Sequence, residues 1–221
     1  MDAIIALRGV AKSYTARHRF QTVLQNFDLA IEPGEFVALM GPSGAGKSTL
    51  LNLIGGLDRP DQGEVIVAQT HLERLATRQL ARWRADHVGF VFQSHNLLKI
   101  LTAAENIELP LLLKALPRRE RRQRVDLCLQ QLGLSDRASH LPGQLSGGQQ
   151  QRVGIGRAII SEAPILLCDE PTGDLDRASA DEILTLLQGL AQRGRTVLMV
   201  THDPLAAQLA DRQIVLGTRR S

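Results

Sequence analysis

The chain has 221 residues, 43% of them hydrophobic and only 3% aromatic, which suits one large domain or a core domain with an inserted lobe, packed around aliphatic side chains. A net charge of +3 excludes the dominating cationic surface of a protein that coats nucleic acid, and it is compatible with contact to phosphates or to a membrane surface. Two cysteines without a CxxC pairing, no leader-like start and no apolar run near the roughly 20 residues of a membrane span predict a reduced cytosolic protein without disulfides.

Strand-like segments come first along the chain. Ile4–Val10, Val23–Ile31 and Glu35–Met40 have strand character, and the last is an unbroken apolar run typical of a strand buried on both faces. Helical spacing follows in KSTLLNLIGGL, and two further short strands are predicted in GEVIV and VGFVFQ.

From about Asn96 to Ile160 the pattern becomes helical, in TAAENIELPLLL, RRERRQRVDLCLQQLGL and GGQQQRVGIGRAII. Strands return in PILLCDE and TVLMVTH, with a helix near Ala178–Gln192 between them and a last short strand in RQIVLG. This alternation predicts a mostly parallel sheet with helices on its faces, interrupted by a helical lobe. For the basic run from Leu116 to Arg124 a solvated helix face is favoured, with contact to nucleic acid or anionic lipid as the alternative.

A phosphate-binding loop is predicted at GPSGAGKST, which lies between a buried strand and a helix and matches G-x-x-x-x-G-K-[ST]. Its glycines let backbone N–H groups wrap a phosphate. Lys47 is expected to contact the β- and γ-phosphates, Ser48 to bind Mg²⁺ and Thr49 to lie near the α-phosphate. The expected nucleotide contacts are Gly41, Pro42, Ser43, Gly44, Ala45, Gly46, Lys47, Ser48 and Thr49.

Two adjacent acids end the apolar run of ILLCDEPTGDLD. Asp169 is expected to hold Mg²⁺ through water, and Glu170 to polarise the attacking water as general base. Helix caps or surface charges are the alternative for acids at a strand end, but the phosphate loop favours catalysis. His202 ends another strand, where it can donate to the γ-phosphate, and Gln93 is suited to sensing Mg²⁺ and water.

Two more features of the sequence indicate ligand contacts. Tyr14 is the only tyrosine, and it is either an ordinary partly exposed aromatic or a platform that stacks on a nucleotide base. LSGGQQQRVGIGRA, from Leu145 to Ala158, puts a Ser-Gly-Gly turn before a helix, which predicts a second anion-binding site.

In this order the motifs resemble those of the ATP-binding subunits of ABC transporters, over essentially the whole chain. The resemblance makes Tyr14 the A-loop aromatic, Gly41–Thr49 Walker A, Gln93 the Q-loop, Ile165–Asp169 Walker B and His202 the switch histidine. The signature is Leu145–Gln149, which implies nucleotide contacts from Ser146, Gly147, Gly148 and Gln149, and from the D-loop residue Asp176.

Finer details resemble the lipoprotein-release and macrolide-export (LolD/MacB-like) branch. They are GPSGAGKSTLLNLIGGLDRPDQGEV, VGFVFQSHNLL, ENIELPLLL and the signature stretch, although FtsE-like and amino-acid-importer ATPases share much of them. Cys168 stands where alanine is commoner, which leaves catalysis undisturbed.

The resemblance implies an α/β fold of the P-loop NTPase type, with a RecA-like core and an antiparallel β subdomain over residues 1–93 and 161–221 and an inserted α-helical subdomain over residues 94–160. It also implies a head-to-tail dimer of two copies, in which Mg²⁺ and ATP lie between the Walker A of one copy and the signature of the other. Because the sequence stops at Ser221, the permease is expected to be a separate membrane protein, with a periplasmic adaptor as a further partner.

These features predict an ATPase at the cytoplasmic face of the inner membrane that drives export or extraction of a lipoprotein, lipid, peptide or drug. Transmission of force without transport is the alternative within the same enzyme class. A soluble ATPase acting on nucleic acid is disfavoured because tandem cassettes and coiled-coil insertions are absent from the sequence, and no nucleic-acid partner is expected. A non-hydrolysing regulator is disfavoured by Glu170 and His202.

Overall fold

The computed structural model describes residues 3–16 and 19–217, which form two β-sheets and a set of helices. The strands are β1 (Ile5–Ala16), β2 (Arg19–Ile31), β3 (Phe36–Met40), β4 (Gln62–Val67), β5 (Thr70–His71), β6 (Val88–Phe92), β7 (Ile165–Asp169), β8 (Thr196–Val200) and β9 (Arg212–Val215). The α-helices are α1 (Lys47–Ile54), α2 (Thr77–His87), α3 (Ala103–Glu108), α4 (Arg118–Gln131), α5 (Gly147–Ile159), α6 (Arg177–Gln192) and α7 (Pro204–Ala207). Short 3₁₀ helices cover Leu72–Arg74, Leu109–Leu113, Ser135–Arg137 and Pro142–Gln144.

The central sheet is parallel in every described pairing and has the strand order β6-β7-β8-β3-β9. The second sheet is antiparallel, in the order β2-β1-β4-β5. Both the mostly parallel sheet and the antiparallel part were predicted, and three of the α-helices, α3, α4 and α5, lie between residues 94 and 160. The boundary of a separate helical subdomain stays a prediction.

Alternate residues of the parallel strands belong to two different hydrophobic cores. In β3, Phe36 and Ala38 pack with the helices α3 to α6, whereas Val37 and Leu39 pack with α1, α2 and the antiparallel sheet. Because successive side chains of a strand point to opposite faces, a strand covered on both sides must be apolar at every position. This explains the unbroken apolar runs in the sequence.

Several helices begin at a side chain that caps their free N–H groups. Thr102 accepts a hydrogen bond from the backbone N–H of Glu105 at the start of α3, and Asp203 accepts one from Leu205 at the start of α7. Such N-cap residues stabilise a helix by about 0.5 to 2 kcal/mol each. Helices α5 and α6 also begin at capping side chains, those of Ser146 and Asp176.

The first hairpin is longer than the sequence pattern predicts. Strand β1 runs to Ala16 and β2 begins at Arg19, and Tyr14 pairs with Gln21 inside this extension. Register shifts between Leu7 and Ser13 break the alternation of apolar and polar residues, which is why the pattern predicted only the first half of the strand.

Two helical segments also differ from the prediction. Helix α2 was not predicted, because only Leu80 and Trp83 of its eleven residues are buried and the apolar periodicity is weak. The predicted helix after Thr102 ends at Glu108 and continues as a 3₁₀ helix, since Pro110 has no backbone N–H to donate.

Both cysteines are free and buried in the core beside the helices. Burial raises the pKa of Cys128 to about 11, so this thiol stays protonated at neutral pH. Within the described residues, none of the helices is long and apolar enough to cross a bilayer.

The basic run occupies the first half of α4. Arg121 Nε lies 2.8 Å from a carboxylate oxygen of Glu108, and Arg124 forms an ion pair with Glu120 one turn earlier. These pairs and the surrounding exposure are typical of a solvated helix face.

Candidate nucleotide site

A pocket of about 530 Å³ opens at the carboxyl ends of β3, β7 and β8. Ligands of open parallel sheets bind at this edge, because the loops that leave the strands there surround one crevice. The pocket is lined by Tyr14, Gln21, Val23, Gly41, Pro42, Ser43, Gly44, Gly46, Lys47, Ser48, Thr49, Asp169, Glu170, Val200 and His202. Sequence reasoning predicted all of these except Gln21, Val23 and Val200.

The predicted phosphate loop connects β3 to α1 and forms one wall of the pocket. Gly46 has φ +95°, and a Cβ there would lie 2.8 Å from Val23 Cγ1, so only glycine fits. A Cβ at Gly41 would lie 2.7 Å from the carbonyl oxygen of Leu216, which explains a second glycine. Ala45 is the one predicted loop residue that is not among the described residues lining the pocket, and it packs against the hydrophobic core instead.

Lys47 is the first residue of α1, and its side chain turns back over the loop. Its Nζ donates to the backbone carbonyl of Gly41 over 2.7 Å and to that of Pro42 over 3.0 Å. The ammonium is thus held above the loop, beside the N–H groups at the start of a helix, which is a favourable place for an anion.

Asp169 ends β7 next to the phosphate loop. Burial raises the pKa of Asp169 above its usual range, and the charge of Glu170 acts in the same direction. A hydrogen bond with the Ser48 side chain and the ammonium of Lys47 act in the opposite direction. The hydroxyl and the carboxylate predicted to bind Mg²⁺ therefore contact each other, and the carboxylate lacks full compensation of its charge.

Glu170 directly follows Asp169, and its backbone has a conformation that non-glycine residues rarely adopt. Its φ is +47°, and its backbone N–H donates to the carbonyl of Val200 over 3.0 Å. The left-handed region is unfavourable for a non-glycine residue, so the surrounding contacts hold it there. His202 Nδ1 lies 2.5 Å from Glu170 Oε2 and donates to it, which joins the ends of β7 and β8.

Gln93 follows β6 and is exposed, outside the set of described residues that line the pocket. Its Nε2 donates to Asp174 Oδ1 over 2.8 Å, and Gly173 lies against its side chain. Its predicted contact with Mg²⁺ and water stays a prediction.

The signature serine opens α5 with a reciprocal pair of hydrogen bonds. Ser146 Oγ accepts from the backbone N–H of Gln149, and Gln149 Oε1 accepts from the backbone N–H of Ser146. Ser146 and Gly147 are exposed, and no signature residue is among the described residues that line the pocket around Lys47. The two predicted anion sites of the chain are separate.

Asp176 caps α6 in a similar way. Hydrogen bonds from the backbone N–H and the hydroxyl of Ser179 lower the pKa of the Asp176 carboxyl. A Cβ at Gly148 would lie only 2.8 Å from the Ser179 hydroxyl, so the signature helix packs closely against this cap. The predicted D-loop residue therefore lies next to the signature and outside the described pocket lining.

Sequence reasoning missed two residues that hold predicted ones in place. Asp58 accepts a hydrogen bond from the hydroxyl of Tyr14 over 2.7 Å. Gln151 is fully buried and donates to the backbone carbonyls of Phe92 and Pro171, which flank Gln93 and Glu170 in the sequence. As the third glutamine in QQQR, Gln151 has no local sequence signal that separates it from its partly buried neighbours.

A glycine-rich loop between a buried strand and a helix, with an acid pair and a histidine at neighbouring strand ends, defines a P-loop nucleoside-triphosphate-binding domain. The family described as ABC transporter matches residues 24–173. The chain belongs to this family, which confirms the resemblance drawn from the motifs.

Individual relatives agree with the family and with the MacB-like branch. The chain is 48% identical to the macrolide export ATP-binding/permease protein MacB 1/2 of Paracoccus denitrificans (strain Pd 1222), over 98% of this chain and 32% of that protein. It thus spans about a third of the length of this relative. It is also 44% identical to the uncharacterized ABC transporter ATP-binding protein YvrO of Bacillus subtilis (strain 168), over 96% of this chain and 93% of that protein.

Solved structures confirm the fold class. The dimeric structure of MJ0796, a bacterial ABC transporter cassette, has a TM-score of 0.90 and 46% identity, covering 96% of this chain and 94% of that one. A post-hydrolysis dimeric state of MJ0796 bound to ADP and Pi has a TM-score of 0.90 and 45% identity, covering 98% and 97%.

Proposed function

We propose that this chain hydrolyses ATP and, as a dimer of two copies, drives a membrane permease. The observation that carries the proposal is the gathering of Lys47, Asp169, Glu170 and His202 around one pocket, while the signature at Ser146 is exposed elsewhere. The MJ0796 structures, one a dimer and one a dimeric post-hydrolysis state bound to ADP and Pi, support this proposal.

The residues around Asp169 fit a divalent cation. Ser48 and Asp169 offer hard oxygen ligands in contact with each other, and the raised pKa of Asp169 reflects a negative charge that burial leaves poorly compensated. We infer that these two side chains hold Mg²⁺, with Gln93 as a predicted third contact. When bound, Mg²⁺ would neutralise charge that develops on the phosphates.

The protein side chains then have separate tasks in hydrolysis. Lys47 exchanges the carbonyls of Gly41 and Pro42 for phosphate oxygens. Glu170 accepts a proton as a water oxygen forms its bond to the γ-phosphorus, and the bond to the bridging oxygen breaks to give ADP and phosphate. His202 holds the Glu170 carboxylate and offers its second ring nitrogen toward the phosphate.

The signature completes the site of a second copy in this proposal. Ser146 opens a helix of 13 residues, and Ser146 and Gly147 are exposed, yet the described pocket lining on the same chain includes neither of them. A head-to-tail dimer of two copies would bring this helix start over the partner's nucleotide. Loss of the γ-phosphate would remove the bridge and reopen the dimer.

An apolar groove of about 460 Å³ suits the permease. It lies between α2, β6 and the 3₁₀ helix Leu109–Leu113, and its lining includes Phe90, Leu109 and Leu113. Leu113 is 78% exposed, which an apolar helix of the permease would cover. Such docking would place the chain at the cytoplasmic face of the inner membrane.

The exported substrate is proposed at the level of class only: a lipoprotein, lipid, peptide or drug. The MacB relatives are named for macrolide export, and each is named as an ATP-binding/permease protein. The relative YvrO is named as an ABC transporter ATP-binding protein, which supports a role as the ATP-binding part of a transporter. The sequence alone also allowed a periplasmic adaptor as a further partner.

The substitution Glu170→Gln tests the proposal. We expect ATP hydrolysis to fall by about 10²- to 10⁴-fold, because the amide cannot accept the proton, while ATP still closes the dimer. Steady-state hydrolysis and the mass of the ATP-bound particle are the measurements. The exposed Glu32→Gln is the matched control; an active, monomeric Glu170→Gln chain would refute the assignment.

A further inference from the structure

A connected set of polar contacts lies behind the ring of Tyr14. Its hydroxyl donates to Asp58 Oδ2 over 2.7 Å, and Lys12 Nζ donates to Asp58 Oδ1 over 2.9 Å. Lys12 also donates to the carbonyl of Arg59 over 2.7 Å, and its side chain is only 10% exposed. One carboxylate therefore holds a buried ammonium and the phenol at the same time.

This set joins two parts of the nucleotide pocket. Tyr14 and Lys12 lie on β1, whereas Asp58 lies just after α1, the helix that begins at Lys47 of the phosphate loop. Thr49, also in α1, lines the same pocket as Tyr14. The position of the aromatic ring is thus tied to the phosphate-binding helix.

The contacts leave part of the ring free. Lys12 Nζ lies 5.1 Å from the ring centroid, a cation–π distance. Tyr14 remains 38% exposed and lines the pocket. Asp58 is not among the described residues that line the pocket, whereas Tyr14, whose hydroxyl it holds, is one of them.

We propose that Asp58 is a positioning residue for the nucleotide base: it holds the Tyr14 hydroxyl and Lys12 so that the free face of the ring is ordered before the nucleotide binds. An ordered platform loses less conformational freedom on binding, which increases affinity without changing the chemical step. The inference rests on the proposed function, in which Tyr14 stacks on the base.

Tyr14→Phe is the cleanest test, because it keeps the stacking ring and removes only the hydroxyl. We expect the Kd for ADP, measured by calorimetry, to rise about three- to tenfold, which lies in the range for the loss of one typical hydrogen bond. The Kd for inorganic pyrophosphate, which has no base, should stay unchanged.

Asp58→Asn should raise the Kd for ADP in the same way, and adding it to Tyr14→Phe should cause little further loss, since both act on one contact. Arg8→Gln, an exposed change on the same strand, is the control and should bind ADP like the unmodified chain. Strictly additive effects of Tyr14→Phe and Asp58→Asn would overturn the inference.

Tyr14→Ala separates this inference from the function it rests on. If Tyr14→Ala weakens ADP binding and Tyr14→Phe does not, Asp58 has no positioning role and the inference fails alone. If Tyr14→Ala also binds ADP normally, the stacking role of Tyr14 itself fails, and the inference with it. If both variants bind ADP more weakly and pyrophosphate as well as the unmodified chain does, the positioning role of Asp58 is supported.

The chain offers a direct spectroscopic readout, because Tyr14 is its only tyrosine. Burial raises the pKa of this phenol above 10.0, and the hydrogen bond to Asp58 raises it further. The tyrosinate absorbance of Asp58→Asn should therefore titrate at lower pH than that of the unmodified chain. An identical titration would show that Asp58 does not hold the phenol in solution.

Discussion

The Asp58 carboxylate lies where burial and hydrogen bonding act on its charge in opposite directions. Burial alone would raise the pKa of Asp58, but hydrogen bonds from Lys12, from Tyr14 and from the backbone N–H of Arg59 outweigh it, and the net pKa is lowered. An acid with a lowered pKa stabilises the folded state above its unfolded pKa, and this stability is lost as the pH falls through the folded pKa.

Asp58→Asn should therefore lower the free energy of unfolding at neutral pH by about 1 to 3 kcal/mol, because a buried ammonium loses its partner. The difference between Asp58→Asn and the unmodified chain should be constant down to about pH 5 and should shrink as the pH falls below the ordinary value of 3.8. Urea unfolding between pH 3 and 7 measures it. A difference that grows in acid would contradict the ion pair.

The residues at the strand ends could be predicted, whereas Asp58 could not. Asp169, Glu170 and His202 each end an apolar run, and parallel strands bring such ends to one edge. Asp58 meets Lys12 and Tyr14 across 46 and 44 residues, next to a strand whose register shifts between Lys12 and Ser13. No local sequence pattern predicts the contacts of Asp58 with Lys12 and Tyr14.

At the scale of elements, α5 connects the exposed signature to two of the three strand ends that carry catalytic candidates, those of β6 and β7. Gln151 Nε2 donates to the carbonyl of Pro171 over 2.6 Å and to that of Phe92 over 3.3 Å. A fully buried amide with these partners fixes α5 against β6 and the segment after β7. The signature helix is thus held to the backbone next to Gln93 and next to Glu170.

The groove beside this helix gives a prediction at the same scale. Leu113→Glu should abolish sedimentation of the chain with membranes of its source cells, because a charge opposes docking of an apolar helix. The basal ATPase of the isolated chain should not change, since Leu113 is 78% exposed and lies outside the described pocket lining.

Leu127→Glu is the matched control for that experiment, because Leu127 is a 57% exposed leucine on α4 outside the described groove lining. It should sediment like the unmodified chain. Normal sedimentation of Leu113→Glu would mean that this groove does not face the permease.

At the scale of the whole molecule, the parallel sheet separates two cores while its carboxyl edge carries the nucleotide pocket. The unbroken apolar strands made this architecture predictable, because only a sheet covered on both faces has such strands. The assignment of the signature to a second copy was implied by the resemblance to ABC transporter subunits, and it agrees with a described pocket lining that includes no signature residue. The proposed unit of function is therefore two chains.

Mixing two inactive variants tests this central claim most directly. Lys47→Ala removes the phosphate contact, and Ser146→Arg blocks the signature, so neither variant alone should hydrolyse ATP. In a mixed head-to-tail dimer one site retains both Lys47 and the partner's signature, so an equal mixture should recover up to about a quarter of the normal activity. Two variants that each remain folded and yet stay inactive when mixed would contradict a site shared between copies.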